Sequence, residues 1–128
     1  MSRDKFKELL SSLEKAVNRF AEVLEMEKSD IIRDSAIKRF EIVFDLSWKT
    51  IKACLETKGV ICRSPKSCFE EAYQEGLIEY EDIWLQMIDM RNKTAHTYNE
   101  GIAEEIYAGL SETLKTFQKL LETLRGNK

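Results

Sequence analysis

One histidine, one proline and five glycines are all that this chain of 128 residues holds of those types, and each scarcity excludes something. With so few breakers, long stretches run uninterrupted, which points to helices rather than to a turn-rich β fold. No segment keeps a two-residue alternation of apolar and polar side chains, and no glycine-rich phosphate loop occurs. The three cysteines, Cys54, Cys62 and Cys68, are odd in number and lack metal-ligand spacing. With a single histidine beside them, they argue against a structural zinc site, and neither metal nor cofactor is expected. Reduced thiols in a cytoplasmic protein are the expectation they carry. No apolar run is long enough to cross a bilayer, and the stretch Met1–Glu8 is charged, without the apolar segment of a signal peptide.

What is present is a globular balance: 43% hydrophobic and 34% charged residues support a core without staples, with residues 1–128 read as one domain. The net charge of −3 gives no global basic field for nucleic acid. The charge is uneven, however. From Arg33 to Lys66 eight basic residues face four acidic ones, whereas from Ser67 to Met90 there are seven acidic residues and no Lys or Arg. The basic block can face a polyanion and the acidic block a basic partner or another copy of the basic block. Two solvated helix faces account for the same pattern.

Apolar residues step by threes and fours through Phe6, Leu9, Leu10, Leu13, Val17, Phe20 and Leu24, which predicts a helix from about Asp4 to Met26. A second helix runs from about Ile31 to Lys58. Ser29 or Asp30 caps its start and Gly59 ends it. Ile42, Leu46 and Trp48 widen its apolar stripe beyond one face, and a face shared with a second subunit is expected. Glu41 and Asp45 on this helix have the spacing of paired carboxylates for acid–base work. With Lys49 they also form an ordinary ladder of surface ion pairs, the favoured reading. Ser64-Pro65 opens a short third helix reaching Gln74 or Glu75, and Gly76 stops it. A fourth helix spans about Glu81 to Ala95 with Trp84 in its core face. A fifth carries Ile102, Ile106, Leu110, Leu114, Phe117, Leu120, Leu121 and Leu124. The fold class is therefore all-α, a bundle of four to five helices.

Packing does not explain the stretch Met90–Asn99. It contains His96, five residues after Arg91 and two before Tyr98. On a continuous helix five residues turn the chain through roughly 140°, so Arg91 and His96 diverge unless the helix ends between them or a second subunit supplies one. Thr97-x-x-Glu100 has capping-box form, with Thr97 as N-cap and Glu100 at N3, which places His96 just ahead of a helix N-terminus. An arginine fork, a titratable imidazole and exposed backbone N–H groups are suitable parts for holding and cutting a phosphodiester. A lone histidine in a turn is also commonly a plain polar turn residue, and an arginine on an apolar stripe a snorkelling one.

Arg91-x4-His96-x-Tyr98 resembles the signature of the HEPN superfamily, in the branch encoded beside minimal nucleotidyltransferases. Further segments resemble the same branch: Arg33-Asp34 through Arg39-Phe40-Glu41, Asp45-x-x-Trp48-Lys49 through Lys52, Ser64-Pro65 followed by Glu71-Ala72, and Trp84 ahead of Met90-Arg91-Asn92. The likeness covers about residues 30–110. It implies an up-and-down antiparallel helical bundle that dimerises through helix faces, similar to the helical domain fused to aminoglycoside nucleotidyltransferases. It also implies a place in a two-component toxin–antitoxin-type system, either as a substrate-binding subunit or as a metal-independent ribonuclease neutralised by its nucleotidyltransferase partner. On that resemblance His96 is the general base or acid, Arg91 holds the scissile phosphate, Asn92 orients one of them, and Tyr98 accepts AMP from the partner. Arg33, Lys38, Arg39, Lys49 and Lys52 would bind RNA, a nucleotide or the partner protein. A non-catalytic module that binds a nucleotide and presents it to the partner uses the same residues. A purely structural dimeric bundle is the third reading.

Overall fold

The computed structural model describes residues 2–127 and consists of five α-helices: α1 (Ser2–Leu24), α2 (Asp30–Thr57), α3 (Pro65–Gln74), α4 (Glu81–Lys93) and α5 (Glu100–Arg125). A short 3-10 turn, Thr94–His96, follows α4. The ends are set by local chemistry. Ser29 caps α2, its side chain accepting from the Ile32 N–H. Ser64 and Ser67 form a reciprocal capping box around Pro65 at the start of α3. Gly59 and Gly76 take the left-handed conformation, φ 78° and 77°. Each sits just past a helix end whose carbonyls are closed by Val60 N–H to Leu55 and Leu77 N–H to Ala72.

The α2 helix is the central element. Ala36, Ile37, Phe40, Val43, Phe44, Ile51 and Leu55 are all buried along it, against α1, α5, α3 and α4. The chain's own helices therefore cover most of the wide apolar stripe that suggested a second subunit, and Ile42 alone on it stays 43% exposed. Phe20, Phe40 and Phe117 pack ring against ring at 6.1–6.4 Å between centroids, joining α1, α2 and α5. Phe44, Phe69 and Trp84 extend the network to α3 and α4, with Trp84 closing on Phe117 at 5.8 Å. Six aromatic rings thus tie five helices together.

Two sequence expectations are corrected here. Cys62 and Cys68 are not reduced thiols but a disulfide, their Cα atoms 5.1 Å apart. The capping box turns the chain at Ser64 so that both sulfurs face inward ahead of α3. Cys54 is free and buried, and burial pushes its thiol up. The α4 helix also ends at Lys93, short of Ala95. Among the described residues no helix is long and apolar enough to cross a membrane.

The start of α2 is tied to the start of α5 by Arg33, which is 3% exposed. Its guanidinium donates to Asp34, to Glu100 at 2.7 Å and to Glu104 at 3.0 Å, with Asp30 at 3.8 Å. Lys28 also reaches Glu104. Lys28 and then Arg33 hold the Glu104 carboxyl below the usual carboxylate range. A carboxyl depressed in the fold contributes stability above its unfolded pKa, ~4.3 for glutamate, and loses it as pH falls through the folded value. Glu104→Gln is expected to lower Tm near neutral pH, and its gap to the parent is expected to close as pH falls from about 7 to about 3. Melts followed by circular dichroism across that range check this.

Candidate functional site

The site residues lie where α4 stops. Arg91 sits in the last turn of α4, 31% of its side chain exposed, and faces the middle of α2. Its Nε donates to Asp45 Oδ1 and its Nη2 to Asp45 Oδ2, both at 3.1 Å, a bidentate pair. Nη1 donates to Thr94 Oγ1 at 2.9 Å, and Glu41 Oε2 lies 3.6 Å from it. Thr94 is itself fixed, donating to the Arg91 carbonyl at 2.6 Å. The Asp45 contact, more than any other, raises the Arg91 pKa above its ordinary value. Three of the five N–H donors of the guanidinium are thus hydrogen-bonded within the chain, and Glu41 stands near a fourth on Nη1.

The ladder Glu41–Asp45–Lys49 is therefore not what these residues form. Both carboxylates turn to Arg91, and Lys49 makes no ion pair among the described residues. The reason is charge placement. A half-buried guanidinium across the helix boundary holds a fixed geometry, whereas a lysine one turn along has only solvent-screened attraction. Sequence reasoning had Glu41 and Asp45 as one pair but did not find their partner, since the contact spans 46 residues.

His96 and Tyr98 are exposed on the turn that follows, Tyr98 by 84%. Their rings meet edge to face at 5.9 Å, and the Tyr98 hydroxyl lies 3.4 Å from His96 Nδ1. Depending on the tautomer, either group is the donor. Among the described residues no hydrogen bond joins Arg91 to His96, and each finds other partners on its side of the helix break. The cap of α5 is Asn99, not Thr97. Asn99 Oδ1 accepts from the Ile102 N–H at 3.0 Å, while Thr97 is still in the turn, φ −73° and ψ −5°. Glu100 consequently does not close a capping box and instead binds Arg33. The Arg33 cluster thereby anchors the far side of the turn.

Of the proposed basic contacts, Arg33 drops out as a phosphate contact, because it is buried among four carboxylates. Arg39 donates to the Arg19 carbonyl at 2.6 Å, and Lys38 lies 3.6 Å from Glu41. Lys49 is exposed and Lys52 half-buried on the same helix. Asn92 is exposed beside Arg91 and makes no side-chain hydrogen bond among the described residues. No group of three or more potential metal ligands occurs among the described residues.

Between α2, the start of α3 and the end of α4 lies an open groove of about 350 Å³. Trp48, Pro65 and Ile88 form its apolar side, and Asp45, Arg91 and Asn92 its polar side. It runs to Ala95, the residue before His96.

The family model for nucleotidyltransferase substrate binding protein like matches residues 4–126. A Haemophilus influenzae protein named probable ribonuclease HepT is 36% identical over 101 residues, covering 75% of this chain and 69% of that one. A crystal structure from Thermus thermophilus superposes with a TM-score of 0.84 at 36% identity, covering 88% of this chain and 98% of that one. A second solved structure, from Haemophilus influenzae, was described as the fold of a substrate binding domain of a nucleotidyltransferase. It superposes at 0.68 with 31% identity, covering 95% and 98%. The chain belongs to the nucleotidyltransferase substrate-binding family of HEPN-type helical bundles.

Proposed function

We propose that this chain is the helical subunit of a two-component nucleotidyltransferase system and that its Arg91–Tyr98 turn is a metal-independent ribonuclease site. The observation that carries this reading is the exposed His96–Tyr98 pair just beyond the end of the helix that carries the part-exposed Arg91. It agrees with the ribonuclease name of the Haemophilus relative. In the proposed reaction His96 takes the proton from an RNA 2′-hydroxyl. The 2′-oxygen then attacks the adjacent phosphorus, and the 5′-oxygen leaves with a proton from water, which the His96 imidazolium replaces. The products are a 2′,3′-cyclic phosphate and a 5′-hydroxyl end. In this account Arg91 and His96 of one site come from two copies, so the working unit is a homodimer. Arg91 stabilises charge gained on the phosphate oxygens, and Asn92 orients it. Lys38, Arg39, Lys49 and Lys52 line the approach of the RNA backbone.

Tyr98 is the modification site in this account. Its phenolic oxygen attacks the α-phosphorus of ATP held by the partner nucleotidyltransferase, pyrophosphate leaves, and AMP stays on the ring. A bulky anion two residues from His96 then blocks the site by size and charge. A second reading is favoured by the two carboxylates on Arg91, which offset its charge and oppose an incoming phosphate. In that reading the subunit binds a nucleotide and presents it to the partner without cutting RNA.

The deciding experiment is cleavage of cellular RNA in EDTA by chain shown by mass to be unmodified, beside His96→Ala and Arg91→Ala. The expected result is cleavage by the parent and a loss of roughly 10²–10⁴-fold in His96→Ala, the range for a general acid–base group. Parent chain that leaves RNA intact contradicts the nuclease reading and favours the presenting one.

A further inference from the structure

We propose that the groove beside Arg91 is a nucleobase subsite, in which the base of a bound nucleotide stacks on Trp48 while its phosphate is directed to Arg91. The inference rests on the reading that the Arg91–His96 turn receives a nucleotide or RNA phosphate. Nothing in that reading requires a base contact. Trp48 is half-buried on α2 and takes no part in the ring-to-ring network of the core, which runs through Phe20, Phe40, Phe44, Phe69, Trp84 and Phe117. No hydrogen bond among the described residues uses its indole N–H. A large amphipathic side chain thus lines the groove together with Pro65 and Ile88, its indole N–H without a partner among the described residues.

The opposite side of the groove supplies what a base edge needs. Asn92 has an amide with donor and acceptor free, and the Asp45 carboxylate, 40% exposed, retains acceptor capacity beyond its two bonds to Arg91. A volume of about 350 Å³ is at the small end of the ~300–1,000 Å³ usual for small-molecule sites. An apolar peptide side chain would use the Trp48 wall and leave Asp45, Arg91 and Asn92 unmatched. A base carrying a phosphate matches both walls. Because every base has a π-face, stacking here is tolerant of base identity, and the Asp45–Asn92 edge is where any preference is set. The groove ends at Ala95, so a stacked base lies next to the turn that carries His96. The source of that base is either a free nucleotide or single-stranded RNA.

The test titrates the intact chain with AMP, and separately with a fluorescein-labelled, fully 2′-O-methylated oligoribonucleotide. Tryptophan emission is read with the first and anisotropy with the second. The oligonucleotide lacks the 2′-hydroxyl, so binding is measured whether or not the chain cuts RNA. Trp84 is 2% exposed and serves as the unquenched background. The expected result is quenching in the parent that is absent in Trp48→Phe, with affinity in that variant kept within about threefold. Trp48→Leu is expected to weaken binding about tenfold, the low end of what stacking one base contributes. Binding of AMP with this Trp48 dependence assigns free nucleotide, and binding of the oligonucleotide alone assigns RNA. Equal affinity in parent and Trp48→Leu, saturation of the parent without quenching, or binding of neither ligand overturns the subsite. Should Trp48→Leu fail to fold, the quenching difference between parent and Trp48→Phe decides. Trp48-dependent binding together with intact RNA in the cleavage assay contradicts the nuclease reading and leaves the subsite standing.

Discussion

Arg91→Ala chains mixed with His96→Ala chains are expected to regain RNA cleavage that neither has alone. The physical reason is the helix break. Arg91 points from the last turn of α4 to Asp45 on α2, and His96 lies beyond it on an exposed turn, touching Tyr98. Within one chain the arginine and the imidazole do not meet. On the proposed reading a site that needs both is completed by a second copy, with Arg91 of one chain beside His96 of the other. Random re-pairing of an equal mixture gives half mixed dimers, each with one of two sites intact, so about a quarter of parental activity is expected. The mixture is unfolded together and refolded, then assayed against each variant treated alike. No recovery, with the parent recovering fully, contradicts a site shared between copies and places the reaction within one chain.

Phe117→Ala is expected to have the largest effect on stability. Phe117 is fully buried on α5, and its ring meets Phe20 of α1, Phe40 of α2 and Trp84 of α4. Removing it opens a cavity where four helices converge, and such truncations cost about 3–5 kcal/mol. For a domain of this size that lowers Tm by roughly 10–20 °C. A drop of only a few degrees would mean that neighbouring rings collapse into the space, and that the aromatic network is looser than its centroid distances imply.

The bundle was legible in the sequence because helix periodicity is a local signal. The runs from Phe6 to Leu24 and from Ile102 to Leu124, the serine caps at Ser29 and Ser64, and the stops at Gly59 and Gly76 lie where the pattern put them. The parts that were not legible depend on contacts between distant residues. The Asp45 carboxylate is four residues from Lys49 but pairs with Arg91. Arg33 belongs to a basic block in the sequence, yet in the fold it neutralises a patch of acids from α2 and α5. Thr97 and Asn99 both satisfy an N-cap by residue type, and only the course of the 3-10 turn decides for Asn99. Cys62 and Cys68 carried a compartment argument that their approach in space replaces with a bond. For the site, the motif placed Arg91, His96 and Tyr98 around one helix boundary. It did not foretell that two carboxylates occupy the arginine, nor that Trp48 and Pro65 wall a groove beside it.

The central claim, that a nucleic-acid phosphate sits at this turn, is tested most directly on His96 itself. It is the chain's only histidine, so its two ring C–H cross-peaks are read from a carbon-13-labelled chain in an edited spectrum that leaves out the unlabelled oligonucleotide. Addition of the 2′-O-methylated oligoribonucleotide is expected to shift both resonances in a saturable way, and Arg91→Ala is expected to weaken that response. Resonances that stay in place while anisotropy reports saturated binding would contradict the account, because the RNA would then be held elsewhere on the bundle.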